Sequence, residues 1–220
     1  MPPLNKFHYK KKLHQHKIIK NFTANLIRND FIVTTFAKAK RAQPEIELYL
    51  GKTLNYERTK GNAELPISER ISDNKYMSKL LVPSDIEEVG SKIINELTKR
   101  YPERSHGFTR ILKLEPRLGE DKAPMSVLAL VDSDYEIRFW YYAKVIARLE
   151  LQGLPLDEFA EHTIKKMTQL RPNGEAVFRD AVETCKTEFF KYNPETKEVE
   201  DESIKENLKN ERVINYVPGS

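Results

Sequence analysis

Apolar residues recur at helical spacing near the start of the chain. Between residues 15 and 29, Ile18, Phe22 and Leu26 follow one another at intervals of four residues. This spacing places the apolar side chains on one side of a helix. The sequence therefore predicts an amphipathic helix here, preceded by a basic arm without periodicity at residues 1–12.

The next segments predict a strand, a second helix and a loop. Residues 31–35 are short and rich in β-branched side chains, which favour strands. Residues 37–50 have helical periodicity, with Pro44 expected near the first turns, where its missing N–H costs least. Residues 51–66 contain glycine, asparagine and proline, and they predict a loop.

A third helix and a hairpin complete the predicted core. The segment 84–87 (SDIE) resembles a capping box, and the apolar stripe that follows it ends near Tyr101. Residues 108–114 and 125–131 predict two strands, and the Gly- and Pro-containing turn between them favours antiparallel pairing. The core is expected to end near Asp132.

Three further helical patterns follow the core, at residues 135–151, 155–171 and 174–190. The first carries large apolar residues on several faces, which is typical of a helix that is buried or covered by a partner. From residue 193 the chain is polar and acidic, and it predicts a weakly ordered tail.

These patterns together predict the α+β class. The expected architecture is a small core domain of helices packed on a short mixed sheet, followed by a mostly helical extension. The expected segments are a basic arm (1–12), the core domain (13–132), the helical extension (133–192) and an acidic tail (193–220).

Positive charge is concentrated at the N-terminal end. Residues 1–60 hold 13 Lys/Arg against 4 Asp/Glu, residues 61–132 hold 11 against 12, and residues 133–220 hold 13 against 17. Such asymmetry suits a polyanionic partner bound by the first part of the chain. A solvated basic face or a mitochondrial targeting segment would give the same composition. The longest apolar run is too short for a membrane span.

The sequence contains no arrangement typical of an enzyme. Cys185 is the only cysteine, and its place in an apolar stripe predicts a buried thiol rather than a nucleophile. His14 and His16 lack further ligands at metal-binding spacing. The glycines are scattered and do not form a phosphate-cradling loop. We therefore expect no cofactor, no metal and no small-molecule substrate.

Basic and hydroxyl residues occur at the starts of two regular elements. Thr34 and Thr35 precede a helix whose first turns carry Lys38, Lys40 and Arg41. Cations are unfavourable at a helix N-terminus unless an anion binds there, and helix N-terminal amides do bind phosphate. The sequence thus indicates a phosphate contact at this point.

The first predicted hairpin strand carries cations on both of its faces. Arg110 alternates with Thr109, and Lys113 lies on the same face as Thr109. This pattern suits a sheet edge against a phosphate backbone, although ordinary exposed strand charges would give the same pattern.

Two blocks resemble one protein family. Residues 16–41 (HKIIKNFTANLIRNDFIVTTFAKAKR) and 101–132 (YPERSHGFTRILKLEPRLGEDKAPMSVLALVD) resemble the bacterial ribosomal protein L17 family, in order, within a match over roughly residues 10–132. The resemblance implies a small α/β domain that binds large-subunit rRNA near the nascent-chain exit and has no catalytic activity. In this chain the basic N-terminus of the family is rewritten, and His106 replaces a usual glycine before Gly107.

The resemblance also implies the residues that contact RNA. They are His16, Lys17, Lys20, Asn21, Arg28, Thr34, Thr35, Lys38, Lys40, Arg41, Thr109, Arg110 and Lys113, with Arg104 and Arg117 as further candidates. The bacterial proteins end soon after the hairpin. The extension from Ser133 onwards resembles the fungal mitochondrial forms, which implies a place in the mitochondrial matrix, in the large ribosomal subunit.

Two functional hypotheses remain open at this stage. The chain is either a structural protein of the mitochondrial large ribosomal subunit or a free RNA-binding translational regulator with the same domain. The sequence contains no motif of a hydrolase or transferase. We expect the extension to contact neighbouring mitochondrial ribosomal proteins or its own following helices. The residues expected in that contact are Phe139, Trp140, Tyr142 and Ile146.

Overall fold

The computed structural model describes residues 4–61, 64–196 and 198–209. The chain divides into two compact units, Met1–Glu136 and Ile137–Ser220. Within the described ranges, every helix is too short or too polar to cross a membrane.

The first unit combines helices with one small sheet. A π turn at Ile93–Leu97 joins two of its helices into one continuous helical segment. The elements are α1 (Leu4–Asn29), β1 (Phe31–Thr35), α2 (Phe36–Lys60), α3 (Ile67–Asp73), α4 (Ile86–Lys92), α5 (Thr98–Arg100), β2 (Thr109–Lys113) and β3 (Met125–Leu130).

The sheet has the order β1-β3-β2. Both pairings are antiparallel, with Phe31 opposite Ala129 in one and Arg110 opposite the same Ala129 in the other. The predicted α+β class and the predicted hairpin are therefore confirmed, whereas the sheet that was expected to be mixed is antiparallel in all the described pairings.

The core of the first unit lies between the sheet and the helices. Alternate strand residues, including Ile32, Ile111 and Leu128, face it because side chains alternate across a strand. Tyr101 and Phe108 meet edge to face at 5.3 Å between ring centroids, and the Tyr101 hydroxyl donates to the Val131 carbonyl. The helices contribute the fully buried side chains Leu26, Ile27, Ile46, Leu50, Leu54, Ile93 and Leu97.

Two predicted segments differ in the structure. The expected arm is helical from Leu4 onwards, because α1 continues towards the N-terminus beyond its periodic part. The expected loop at residues 51–66 is helical as far as Lys60. There α2 continues because Leu50, Thr53, Leu54 and Glu57, spaced as one helix face, are buried. Burial of this face outweighs the local preference of Gly51 for a loop.

The predicted first turns of two helices also need correction. Pro44 lies on the exposed side of the third turn of α2 rather than near its start. Asp85 precedes α4, but its side chain makes no capping hydrogen bond. Ser84, the capping residue of the predicted box, lies in a short 3-10 turn (Pro83–Asp85), and its hydroxyl donates to the Asp85 carboxylate at 3.3 Å, so the expected capping box does not form.

The second unit is a helical cluster with a small hairpin. It contains α6 (Ile137–Gln152), α7 (Glu158–Thr168), α8 (Gly174–Thr184), a π turn (Cys185–Phe189), β4 (Tyr192–Asn193), β5 (Glu198–Val199) and α9 (Glu202–Lys209). The weakly ordered tail predicted from residue 193 is wrong for the part that forms β5 and α9, because Ile204 and Leu208 of α9 pack against the core of this unit. The rest of the expected tail, residues 210–220, lies outside the described residues.

Candidate nucleic-acid interface

Two lysines from separate elements lie over the ring of Phe36, the first residue of α2. The Lys40 ammonium lies 5.9 Å from the centroid of the Phe36 ring, and the Lys113 ammonium lies 5.3 Å from it. Both lysines are exposed, and both are attracted by the negative face of the ring. The structure therefore brings together predicted RNA-binding residues of α2 and β2, around an aromatic residue that the sequence analysis missed.

The first turn of α2 is open to an anion. Thr35 precedes the helix in an extended conformation (φ −68°, ψ 144°), and its hydroxyl does not cap the helix. The Phe36 amide donates to the Pro124 carbonyl at 2.8 Å, and the first turn contains no acidic residue. Thr34, in the preceding strand, is half-buried and contributes its carbonyl to the Ser126 hydroxyl. The first turn of α2 thus carries the cation Lys38 and no acidic residue, a composition that favours an anion at the helix N-terminus.

Lys38 and Arg41 lie on the side of α2 that faces α1. Together with His14 of α1 they border a groove with a volume of about 330 Å³. His16, Lys17 and Asn21 are exposed on α1. Neither Lys38 nor Arg41 forms an ion pair with any residue that the structure describes. These cations are therefore available to an external partner.

Lys20 is only partly available. Its side chain is half-buried, and its ammonium donates to the Leu81 carbonyl at 3.1 Å. This bond ties α1 to the segment before α4.

Arg28 is held by two carboxylates of its own chain. Its Nη2 atom lies 2.9 Å from Asp85 and 2.6 Å from Glu88. The hydrogen bond with Glu88, followed by that with Asp85, raises the pKa of the guanidinium, and the same bond lowers the pKa of Glu88. A phosphate would have to displace both carboxylates to bind Arg28.

Arg104 and Arg110 are also paired inside the first unit. Arg104 is buried, with Nη2 at 2.7 Å from Asp132 and Nη1 at 3.2 Å from the Gly107 carbonyl. Arg110 is half-buried and pairs with Glu136. These arginines fix the ends of the sheet to the segments that follow it.

Thr109 and Arg117 are both bound to carboxylates of the chain, but the two interactions differ in strength. Thr109 is buried and bound through its amide and hydroxyl to Glu47, a residue that the sequence analysis missed. Arg117 lies in the exposed turn between β2 and β3, where Nη2 is 2.7 Å from Asp121. Because that pair is exposed, it is weak and easily exchanged for another anion.

The residues expected to contact proteins lie in the second unit. Phe139 is buried, with its ring 5.3 Å from that of Phe178 and 4.2 Å from the Arg171 guanidinium carbon. Ile146 is buried in the same core, and Trp140 and Tyr142 pack against it. Their packing is on the unit's own helices, which is one of the two expected alternatives. Among the described residues of this unit, the exposed aromatic side chains are different ones, namely Tyr141, Phe159 and Phe189.

Cys185 lies in the core of the second unit, as its apolar stripe predicted. Burial raises the pKa of its thiol above the ordinary value. A thiol that is both covered and protonated is a poor nucleophile.

Comparison with known proteins assigns this architecture to a family. The family model described as Ribosomal protein L17 matches residues 18–131. The mitochondrial large ribosomal subunit protein bL17m of Schizosaccharomyces pombe is 31% identical over 204 residues, which cover 91% of this chain and 85% of that protein. The bL17m protein of Neurospora crassa is 27% identical over 177 residues, covering 80% of this chain and 84% of that protein.

Bacterial relatives match a shorter part. The large ribosomal subunit protein bL17 of Streptococcus gordonii is 37% identical over 122 residues, which cover 52% of this chain and 88% of that protein. The alignments with the fungal mitochondrial proteins thus extend over far more of this chain than the bacterial one. The match to the family model covers more than half of the 220 residues. This chain belongs to the ribosomal protein L17 family.

Proposed function

We propose that this chain is a structural protein of the mitochondrial large ribosomal subunit, in the matrix, and that its first unit binds large-subunit rRNA in support of mitochondrial translation. The family membership and the extended similarity to the fungal mitochondrial proteins support this role. The chain acts by binding and holding RNA and carries out no reaction of its own.

The observation that carries the proposal is the division of the basic residues into two sets. Arg28, Arg104 and Arg110 are paired with carboxylates of the first unit and hold its parts together. A second set has no ion pair with the described residues and is exposed on α1, on the start of α2 and on the end of β2. Its members are His16, Lys17, Lys38, Lys40, Arg41 and Lys113.

The second set has the chemistry of a phosphate-binding surface. Exposed lysines and arginines neutralise phosphates, and the binding free energy comes largely from release of counterions. Phosphate contacts fix the position of a protein on RNA without reading the base sequence. We therefore assign the permanent rRNA contacts to this set, with Asn21, Thr34 and Thr35 as polar neighbours.

The second unit has a different role in the proposal. It is net acidic in sequence, and its exposed aromatic side chains include Tyr141 at 63% and Phe159 at 68% exposure. Aromatic residues are enriched at protein interfaces, and carboxylates repel phosphate. We propose that these exposed aromatics contact neighbouring mitochondrial ribosomal proteins, while Phe139, Trp140, Tyr142 and Ile146 support them from inside the unit.

Sedimentation through a high-salt sucrose gradient tests the proposal. The tagged full-length chain, expressed in mitochondria of a fungal host, is expected to sediment with large ribosomal subunits at salt concentrations that remove loosely bound factors. A tagged mitochondrial matrix enzyme is the control for trapping. Recovery of the chain at the top of the gradient, with subunits intact below it, would favour a free RNA-binding regulator.

A further inference from the structure

The groove between α1 and α2 is formed by one stripe from each helix. His14, Ile18 and Phe22 follow one another at intervals of four residues on α1, and Gln15 and Ile19 lie beside them. The opposite wall of the groove consists of Ala37, Lys38 and Arg41. Residues four apart share a helix face, so these two stripes face each other along the contact between the helices.

The lining has two chemical parts. Ile18, Ile19, Phe22 and Ala37 provide apolar surface, and Ile18 and Phe22 are half-buried, so that part of each side chain remains accessible. The polar border consists of His14, Gln15, Lys38 and Arg41, without a carboxylate among the described lining residues. The groove therefore combines an apolar floor with a border that attracts anions.

A duplex can use only part of this lining. Stacked and paired bases present phosphates and sugars to a side chain, which would satisfy Lys38 and Arg41 but leave the apolar floor in water. An unpaired nucleotide presents an anionic phosphate and a flat apolar base together, and such bases stack on aromatic side chains. The charge and the apolar floor are thus complementary to this ligand at the same time.

We infer that this groove binds one unpaired, unstacked nucleotide of the RNA. The base lies on the floor at Phe22 and Ile18, and the adjoining phosphate contacts Lys38 and Arg41. The inference rests on the proposed function, and it adds that the first unit selects a site where a single-stranded nucleotide is exposed beside phosphate-rich RNA.

A variant that fills the groove without changing charge tests this inference. Ala37 is exposed at the groove wall, and leucine is compatible with a helix, so Ala37→Leu places a bulky side chain over the floor. Ala176→Leu, at an exposed alanine of α8, is the matched control. Phe22→Leu is a second variant, which keeps an apolar side chain but removes the aromatic face.

The probes are a fluorescein-labelled single-stranded RNA of about ten nucleotides and its duplex with the complementary strand, a length within the site sizes of single-strand binders. Binding to the full chain is measured by anisotropy over a range of salt concentrations. Ala37→Leu is expected to weaken binding of the single strand about tenfold, the effect of losing one base stack. Its duplex affinity and salt slope are expected to stay unchanged, and Ala176→Leu is expected to match the wild type on both probes.

The other outcomes separate this inference from the proposed function. If Ala37→Leu and Phe22→Leu both keep wild-type affinity for the single strand, no base enters the groove, while RNA binding itself stands. Equal weakening towards both probes would also overturn the inference, because it would show a disturbed phosphate contact. If the wild type bound neither probe, the inference would fail, and the sedimentation experiment would decide the proposed function independently.

Discussion

Glu47 and Thr109 are joined by two hydrogen bonds to the same carboxylate oxygen. The Thr109 amide lies 2.6 Å from Oε1 of Glu47, and the Thr109 hydroxyl lies 2.5 Å from it. The other carboxylate oxygen accepts the amides of Gly107 and Phe108, each at 3.0 Å. Gly107 has a positive φ of 71°, a conformation that glycine adopts without steric cost. The Glu47 carboxylate therefore accepts three consecutive backbone amides of this turn.

Replacing Glu47 should destabilise the first unit. Glu47→Gln removes the negative charge and leaves one oxygen for four donors. Hydrogen bonds to a charged group contribute about 1.5–3 kcal/mol, so we expect the free energy of unfolding to fall by about 2 kcal/mol. Chemical denaturation followed by circular dichroism measures this change. Glu45→Gln, in the same helix, is the control, and equal midpoints for the two variants would contradict the role assigned to Glu47.

Removing the unpaired cations of α2 should weaken RNA binding in a salt-dependent manner. We expect the variant with alanine at Lys38, Lys40 and Arg41 to lower the slope of log affinity against log salt by up to about 2 units, at roughly 0.7 per phosphate contact on a single strand. Binding of large-subunit rRNA over a salt series measures the slope. A triple alanine variant at Lys165, Lys166 and Lys209, on exposed helix positions of the second unit, controls for the total charge. If the slope is unchanged, the three residues lie outside the interface.

Replacing Arg104, unlike replacing the cations of α2, should lower the stability of the fold and not the salt dependence of RNA binding. Arg104 is buried against Asp132, and breaking a buried ion pair from one side typically costs about 3–5 kcal/mol. We expect Arg104→Gln to lower the free energy of unfolding on this scale while leaving the salt slope of the folded fraction unchanged. Adding Asp132→Asn should recover part of the loss, because it removes the buried carboxylate that Arg104 neutralises. A lowered slope in the single variant would place Arg104 on the RNA surface instead.

The pairing of these arginines is the part that the sequence could not reveal. Periodicity predicted most helices because burial on one face leaves a local pattern, and β-branched composition and turn residues predicted β1 and the hairpin. The carboxylate that pairs with a given cation leaves no such pattern in the sequence. Arg28 pairs with Asp85, Arg104 with Asp132 and Arg110 with Glu136, and the members of each pair come together only when the chain folds. The family resemblance therefore grouped the structural arginines with the available lysines.

Two helix predictions failed for a related reason. Gly51 is a local loop signal, but α2 continues past it because Leu54 and Glu57 are buried farther along the same helix. Ser84 and Glu87 match a capping box by position, but the helix begins one residue later, and the Ser84 hydroxyl donates to the Asp85 carboxylate, which pairs with Arg28 of α1. In both places a contact with a distant part of the chain outweighs the local preference.

Cys185 should react slowly in the folded protein. It is 4% exposed, and burial raises the pKa of its thiol, so the reactive thiolate is scarce at neutral pH. We expect labelling by a disulfide reagent to be slow, to accelerate as the pH rises, and to become fast when urea unfolds the second unit. Cys185→Ala should leave incorporation into ribosomes intact. Rapid labelling at neutral pH without denaturant would show an accessible, activated thiol.

Truncation should separate the roles of the two units, provided that the cut follows Glu136. This residue belongs to the first unit, where it pairs with Arg110 and accepts the Asp132 amide at 2.9 Å. We expect the fragment of residues 1–136 to keep its rRNA affinity and to enter mature large subunits less efficiently than the full chain. Filter binding and quantitative sedimentation measure the two properties. Loss of most rRNA affinity would make the second unit an RNA-binding element.

The position of Phe36 has a consequence for the entropy of binding. A free lysine side chain samples many rotamers, and fixing it on a phosphate costs conformational entropy. Lys40 and Lys113 already lie over one ring, within 6 Å of its centroid. Part of their freedom is therefore lost when the protein folds rather than when the RNA arrives. The ring thus converts two flexible charges into a partly ordered pair, which we expect to bind phosphate more tightly than the same charges would on an unrestrained surface.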